Sequence, residues 1–440
     1  MNIVTQISNN YNLNQGQKDA ANAFFEFLFS EDKEFIISGP AGVGKTYLMN
    51  YIIDNTMPRY HEMCKLVGIQ PEFNSVTMTA TTNKAAEVLS AAVNRPTSTV
   101  HSFFNLTVKD DFTTGQTILK RTPKWVIHRN IIIFIDESSM IDTELWKLLH
   151  EGTMDCKLVY VGDRHQLAPI MESMSPVYKH NSPMVELLTP VRNAGQPALM
   201  EVCEQLRETV ATGDFKPIKV VPGVIDLLDD PGMKTEMANH FHNQTLDARI
   251  LAYTNRRVIQ YNDHIRAMRT LPTEFQKGEL LISNTAYHHA SGMLSVEAEV
   301  EVLRNKGPSQ MLVDEKHQIH LDINRLDLRT SLGELVPNVP FATDRNHLDQ
   351  LLKYYAKDKN WQAYFNLKNN IADLRPRDAA TVHKAQGSTY DTVFVDLSNI
   401  STCNIQNQVA RMLYVAFSRA RSRVFLYGNL ASKYGGLILP

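Results

Sequence analysis

Cysteine is scarce in this chain, and so is any excess of charge. Four cysteines in 440 residues (Cys64, Cys156, Cys203 and Cys403) stand apart, with no C-x-x-C pair and no histidine at ligand spacing. That excludes a disulfide-built scaffold, argues against a zinc site and points to a reducing compartment. Lys and Arg total 45 against 47 Asp and Glu, a net charge of −2, so a polyanionic partner would need a local groove and not a globally basic surface. Long apolar runs are also missing. No stretch approaches the roughly 18 residues of a membrane span, and residues 1–12 are polar, without the apolar core of a signal peptide. Repeats and low-complexity segments are lacking too. A soluble, cytosolic protein is expected. At 440 residues it is too long for one core, so two to four domains should share the chain.

What is present is a complete phosphate loop. Gly39-Pro40-Ala41-Gly42-Val43-Gly44-Lys45-Thr46 satisfies G-x-x-x-x-G-K-[ST], with the apolar run Phe35-Ile36-Ile37 before it and a helical pattern over 45–53 after it. The motif requires that strand–loop–helix context. Glycines let backbone N–H groups turn inward around phosphate oxygens, and the helix N-terminus adds its positive end. Lys45 is expected to reach the β- and γ-phosphates, and the Thr46 hydroxyl to help hold Mg²⁺. A glycine-rich turn that matches by accident would rarely carry both flanks. Nucleotide binding follows; what the nucleotide drives does not.

Short apolar runs recur at 35–38, 76–79, 131–135, 158–161, 250–253, 393–396 and 424–427, with helical patterns such as 85–93 and 143–149 between most of them. Alternating strands and helices imply an α/β fold with parallel sheets covered on both faces. The runs fall into two groups, 35–161 and 250–427, which gives two α/β domains with insertions. Between His101 and Asn130, residues 106–112 and 116–121 are expected to pair as a hairpin around Thr113-Thr114-Gly115. From about Gln276 to Arg375, β-like pieces at 279–283, 297–303, 310–313 and 318–323 lead into an aromatic, Lys- and Asn-rich helical part, 348–372. Pro440 closely follows the last strand, and no accessory C-terminal domain is expected.

Ile131-Ile132-Ile133-Phe134-Ile135 has the pattern of a buried strand and ends in Asp136-Glu137-Ser138-Ser139. Beside a phosphate loop, such an acidic pair is its catalytic partner. Asp136 would hold Mg²⁺, directly or through water, and Glu137 would polarise the attacking water. A helix N-cap pair is the plain alternative. An activated water also argues against a small-molecule kinase. The next strand ends in Gly162-Asp163-Arg164-His165-Gln166-Leu167-Ala168-Pro169. Gln166 is either a neutral amide that reports γ-phosphate hydrolysis to a neighbouring site, or part of a polar strand-to-helix turn.

In order along the chain, GPAGVGKT, TATTNKAA, DESSM, GDRHQLAP, TVHKAQGST and YVAFSRAR resemble the motifs of superfamily 1 helicases, more narrowly the RecD/Dda branch, superfamily 1B. The resemblance covers nearly the whole chain. It implies two RecA-like motor domains, residues 1–103 with 129–190 and residues 191–275 with 376–440. A small β-hairpin (104–128) would be inserted in the first, and a β-rich, SH3-like piece with a helical appendage (276–375) in the second. It also implies site residues. Gln17 would read adenine. Thr81, Thr82, Asn83, Thr99, His101 and Phe103 would lie along single-stranded DNA on the first domain, and Thr254, Asn255, Thr381, His383 and Lys384 on the second. Base contact by Phe103 or Phe104 and simple packing are both open. Gln386 and Gly387 would stand nearer the nucleotide. Arg419 would be an arginine finger, since a guanidinium makes bidentate contacts to phosphate oxygens and stabilises the charge that develops during transfer.

One motif departs from the pattern. The branch commonly shows L-T-x-x-x-R, often with an aromatic just before the arginine. Glu186-Leu187-Leu188-Thr189-Pro190-Val191-Arg192 puts Leu188 where Thr is usual and Val191 where an aromatic would stack on adenine. Arg192 is kept as a second γ-phosphate contact, and no base-stacking aromatic is assigned. His288-His289 lacks a third ligand and is expected to be a loop or surface pair. Trp361, Tyr364 and Phe365, with Tyr354 and Tyr355, are expected to form a packed aromatic face in preference to stacking on bases. The resemblance makes the hairpin around Gly115 a wedge for the fork; a surface ribbon is the alternative.

The function so implied is a 5′-to-3′ DNA helicase that uses ATP and Mg²⁺, with roles in DNA replication, recombination or repair. Its partners would be single-stranded DNA and forked duplex DNA, together with a single-strand-binding or replication protein. A monomer in the cytoplasm is expected, the host's if the protein is phage-encoded. The rivals are a single-strand translocase or protein-displacing motor without robust unwinding, a superfamily 1 RNA helicase, and a nucleotide-dependent switch. Glu137 with Arg192 and Arg419 argues against the switch, because a passive binder has no use for an activated water.

Overall fold

The computed structural model describes residues 11–169, 172–189, 196–244, 247–289, 292–315 and 317–440. Arg192 and its neighbours Pro190 and Val191 lie outside the described residues. The chain divides into two compact units. Unit 1 comprises Met1–Phe104, Trp125–Arg164 and Ala168–Ala194; unit 2 comprises Asn105–Lys124, His165–Leu167 and Gly195–Pro440. Among the described residues, no helix is long and apolar enough to cross a membrane.

Unit 1 is built on six parallel strands in the order Met184–Glu186, Glu34–Ser38, Lys157–Gly162, Ile131–Asp136, Ser75–Ala80, Ser98–Thr99. The two central strands are buried on both faces, which is why their sequences are nearly unbroken apolar runs without alternation. Lys157 is the exception at the start of one of them. Its ammonium donates to the Ser30 and Asp32 carbonyls at 2.7 and 2.5 Å and lies over the Phe27 ring. Helix Gln15–Phe27 buries Phe24 against Phe35 and Phe134, at ring distances of 5.9 and 5.8 Å. The helix that opens at Lys45–Tyr51 runs on through a wide π turn, Ile52–Thr56, into Met57–Leu66. Pro58 lies in that continuation, and a wider turn tolerates its missing N–H.

The edge of this sheet where Glu34–Ser38 begins carries a polar cluster. Glu34 accepts hydrogen bonds from Trp146 Nε1 at 3.2 Å and Ser182 Oγ at 2.8 Å, and pairs with His150 Nε2 at 2.9 Å. Burial opposes both charges, yet the mutual bond holds Glu34 below and His150 above their ordinary values. The Glu34 contribution is present above its unfolded value and lost as pH falls through its folded one. The His150 contribution is complete below about 6.5 and is lost as pH rises through its raised folded value. The stability advantage of the wild type over His150→Gln, about 0.5–1 kcal/mol, is therefore expected near pH 5.5 and should shrink toward pH 8. Thermal melts of both proteins at the two pH values check this.

Unit 2 contains five parallel strands in the order Ile225–Leu228, Ala420–Tyr427, Tyr390–Asp396, Ala248–Ala252, Ala379–Thr381. Alternate residues point to opposite faces. Leu251, Val393, Val395, Val424 and Leu426 join the core with helices Pro197–Thr212 and Gln406–Ser418. Ile250, Ala252, Phe394 and Phe425 join the core with helices Asp230–Phe241 and Asn255–Met268. Both units are thus parallel sheets flanked by helices, the architecture expected of two RecA-like domains. The strands Ser98–Thr99, Met184–Glu186, Ile225–Leu228 and Ala379–Thr381 match none of the apolar runs seen in the sequence, because two to four residues are too few to show a pattern.

The insertion in unit 2 is a five-stranded antiparallel sheet in the order Leu335–Ala342, Ile319–Thr330, Glu299–Asp314, Leu280–Ser283, Leu374–Pro376. The pieces expected separately at 297–303 and 310–313 belong to one 16-residue strand, Glu299–Asp314. Gly307 and Pro308 look like a break in sequence, but the register shift between Asn305 and Pro308 takes them up as a bulge. The helical part is likewise two helices, Arg345–Lys357 and Trp361–Asn370. The chain turns at Lys359 (φ 53°), and the Asn360 side chain caps the second helix.

The hairpin expected as an insertion in the first domain pairs Leu106–Asp110 with Thr117–Arg121, and by its contacts it groups with unit 2. Asp111 organises its loop by accepting from Thr113 N–H at 2.9 Å and Thr114 Oγ1 at 2.8 Å. Gly115 has φ 73°, and a Cβ there would stand 2.5 Å from Trp361. Phe112 meets Phe365 edge-on at 5.5 Å, and Asn369 donates to Asp110 at 2.8 Å. The aromatic face of helix Trp361–Asn370 therefore packs against the hairpin. His288 and His289 sit on a short ribbon, Tyr287–His289 paired with Gly292–Leu294.

Candidate active site and nucleic-acid interface

In a parallel sheet the loops at the carboxyl ends of the strands share one edge. In unit 1 that edge carries the phosphate loop after Glu34–Ser38, Thr81 to Asn83 after Ser75–Ala80, His101 after Ser98–Thr99, and the acidic pair at the end of Ile131–Asp136. Gly44, at φ 81°, forms the N-cap of helix Lys45–Tyr51, a left-handed position that glycine adopts without a Cβ penalty. Lys45 Nζ folds over the loop and donates to the Gly39 and Pro40 carbonyls at 2.7 and 2.9 Å. Gln17 is buried. Its Nε2 donates to the Val43 carbonyl at 3.2 Å and its Oε1 accepts from Asn14 N–H at 3.1 Å, which closes a capping box. The amide that would read adenine thus also braces the phosphate loop.

Asp136 and Glu137 are half-buried side by side. Burial and the neighbouring Glu137 carboxylate raise Asp136 to about 7, against the pull of Lys45. Two adjacent carboxylates, one of them within the field of Lys45, form a donor set that suits a divalent cation with a nucleotide phosphate. Glu137 is the residue before the short helix Ser138–Met140, yet its side chain makes no cap bond, so the cap alternative does not account for its carboxylate. Ser138 Oγ lies 3.0 Å from the Tyr178 hydroxyl.

The threonines expected along DNA have a structural role as well. Thr82 Oγ1 accepts from Ala85 N–H and Thr99 Oγ1 from Ser102 N–H, each at 3.1 Å, so both cap helices. Thr81 Oγ1 donates to the Glu137 carbonyl at 3.3 Å. Burial holds His101 below its ordinary value, against the pull of Asp142, so its imidazole is neutral near pH 7. Phe103 stacks on His128 at 4.3 Å with 15° between the planes.

Unit 2 repeats the arrangement at its own carboxyl edge. Thr254 caps helix Asn255–Met268. Asn399 Oδ1 accepts from Tyr253 and Thr254 N–H at 2.8 and 2.9 Å, and buried Asp396 accepts from Arg257 at 2.6 Å and Tyr261 at 2.7 Å. Asn255 accepts from Arg375 at 2.9 Å. His383, lowered by burial and so neutral near pH 7, accepts from Gln408 at 3.3 Å. Lys384 is tied to the insertion through the Asn284 carbonyl at 2.8 Å and Glu297 at 3.3 Å. After Thr381 the chain crosses from the carboxyl edge of Ala379–Thr381 to the amino end of Tyr390–Asp396, carrying Gln386 and Gly387 with it. Arg419 is at that opposite edge. It is buried, and its guanidinium donates to the Ser388 carbonyl at 3.2 Å and Ser418 Oγ at 3.1 Å.

Gln166 groups with unit 2, where the buried Arg411 guanidinium donates to its carbonyl. Arg411, Asn399 and Asp396 are positioning residues that no motif marked. For Arg411 there was a signal, a single charge inside the apolar run of helix Gln406–Ser418. For Asn399 there was none.

Known proteins bear on this geometry. Residues 12–219 match the family profile described as an AAA domain, and residues 378–427 match the UvrD-like helicase C-terminal domain. The ATP-dependent DNA helicase dda of Enterobacteria phage T4 is 23% identical, covering 94% of this chain and 98% of the relative. The uncharacterized protein R530 of Acanthamoeba polyphaga mimivirus is 20% identical, covering 93% of this chain and 99% of its own. The crystal structure of Pif1 helicase from Bacteroides, in complex with ADP-AlF3 and single-stranded DNA, matches with a TM-score of 0.53 at 13% identity. It covers 97% of this chain and 95% of that one, a likeness of fold. With the motifs in order and a relative aligned from end to end, the chain is similar over nearly its whole length to the ATP-dependent DNA helicase dda, and its two profile matches are to an AAA domain and a UvrD-like helicase C-terminal domain.

Proposed function

We propose that this protein is an ATP-dependent DNA helicase that moves 5′ to 3′ along single-stranded DNA and opens the duplex ahead of it. The observation that carries this reading is the shared edge in unit 1. The phosphate loop, the acidic pair and the threonine-capped helices leave one side of one sheet, so nucleotide chemistry and strand contact are neighbours within a single unit. The likeness to a phage protein named as an ATP-dependent DNA helicase supports it.

In this reading Lys45 exchanges the Gly39 and Pro40 carbonyls for β- and γ-phosphate oxygens. Glu137 accepts a proton from the attacking water as the water oxygen bonds to the γ-phosphorus. The bond to the ADP oxygen breaks, and its electron pair leaves with ADP. Bound Mg²⁺, held by Thr46 and Asp136, would draw charge from the phosphate oxygens. The roles of Arg192, Arg419 and Gln166 at the γ-phosphate rest on the resemblance; Arg419 would first have to give up Ser388 and Ser418. Helix starts at Thr82 and Thr254 offer N–H groups to DNA phosphates, contacts that carry no base information. The hairpin is proposed as the wedge, its tip held by Trp361 and Phe365. Action as a cytoplasmic monomer beside a single-strand-binding or replication protein completes the proposal.

Duplexes with only a 5′ or only a 3′ single-stranded tail test it. Unwinding is expected from the 5′ tail alone. Unwinding from the 3′ tail alone would overturn the polarity. DNA-stimulated ATP hydrolysis without unwinding from either tail would favour the single-strand translocase.

A further inference from the structure

Strand pairing in unit 1 joins a strand-facing residue to the catalytic glutamate. Ser75–Ala80 lies beside Ile131–Asp136 with Ala80 opposite Asp136, so the first residues past each strand meet. Thr81 N–H donates to the Asp136 carbonyl and Thr81 Oγ1 to the Glu137 carbonyl, both at 3.3 Å. Glu137 itself holds φ 54° and ψ 40°, a left-handed conformation that residues bearing a Cβ seldom adopt. Such a conformation persists only while its surroundings hold it.

A threonine hydroxyl has one hydrogen to give. It can donate to the Glu137 carbonyl or to a phosphate oxygen, and a charged oxygen is the stronger acceptor. We infer that Thr81 is a positioning residue: its hydroxyl clamps the Glu137 turn in the resting protein, and a nucleic-acid phosphate that takes up this hydroxyl releases the turn. With that bond given up, the Glu137 carbonyl keeps the donor from Met140 N–H at 3.1 Å, and the left-handed residue relaxes toward an ordinary backbone conformation that brings its carboxylate to the attacking water. Hydrolysis is thereby coupled to strand occupancy inside unit 1. The inference rests on the helicase reading, since it requires a strand phosphate at Thr81.

The test compares ATP hydrolysis by the full chain with and without saturating oligothymidylate, in the wild type, Thr81→Val and Thr81→Ser. Oligonucleotide affinity is measured separately by fluorescence anisotropy, so that saturation is known for each protein. Valine keeps the shape and the backbone N–H but loses the donor. Thr81→Val is expected to raise the unstimulated kcat and to cut the ratio of stimulated to unstimulated kcat by about tenfold, while Thr81→Ser retains the wild-type ratio. An unstimulated rate that does not rise in Thr81→Val, a ratio equal to wild type at saturation, or loss of the ratio in Thr81→Ser would each overturn the clamp. Should the valine variant fail to fold, Thr81→Ala carries the same comparison. Absence of stimulation in the wild type would instead defeat the helicase reading.

Discussion

Lys45→Ala is expected to lose ATP turnover by about a thousandfold or more while single-stranded DNA binding persists. The ammonium sits over the loop, 2.7 and 2.9 Å from the Gly39 and Pro40 carbonyls that it is proposed to exchange for β- and γ-phosphate oxygens. Its charge acts where negative charge builds during transfer, in a site already crowded by the Asp136 and Glu137 carboxylates. Thr81, Thr82, Thr99 and Phe103, proposed to face the strand, take their positions from the sheet, from helix caps and from stacking on His128, not from Lys45. Steady-state phosphate release and oligonucleotide anisotropy on the same preparation separate the two properties. Glu137→Gln should match the loss of turnover yet still bind nucleotide, because it removes only the proton acceptor. Retained turnover in Lys45→Ala would defeat the site assignment.

Glu279→Ala is expected to cost about 3–5 kcal/mol of stability. Arg266 and Glu279 are both buried, and two parallel hydrogen bonds of 2.9 and 3.0 Å join them. The same guanidinium donates to the carbonyls of Pro272, Thr273 and Glu274 at 2.8 to 3.0 Å and lies under the Phe275 ring. Glu279 also accepts from Gln276 N–H at 2.6 Å. Removing the carboxylate strands a cation that cannot be deprotonated and cannot reach water, at the junction where helix Asn255–Met268 hands the chain to the insertion. Urea unfolding of the wild type and the variant reads the difference. The exposed pair Lys216–Glu208, at 2.8 Å, is a useful control, since both partners are solvated and no measurable loss is expected.

Much of this architecture was visible in the residues. Buried parallel strands announce themselves as apolar runs, and the runs at 131–135 and 158–161 are the two central strands of unit 1. The hairpin was legible from Thr113-Thr114-Gly115 between two β-like pieces. Failures came where a local rule met a distant partner. The pieces expected apart at 297–303 and 310–313 are one strand, because the facing strand Ile319–Thr330 continues past the bulge at Gly307-Pro308. Gln17, expected to read adenine, also bonds to Asn14 and Val43, a bracing role that no motif marks.

The sequence by itself determined the chemistry: a phosphate loop, an acidic pair after a buried strand and an ordered series of motifs, each set by residues adjacent in the chain. Only the tertiary structure decided which side chains hold those residues in place. Thr81 and Glu137 lie 56 residues apart, and Asn399 and Thr254 145 apart, yet strand order makes each pair neighbours. Motif spacing records what covalent connection enforces, whereas such contacts exist only once parallel strands far apart in the chain have paired.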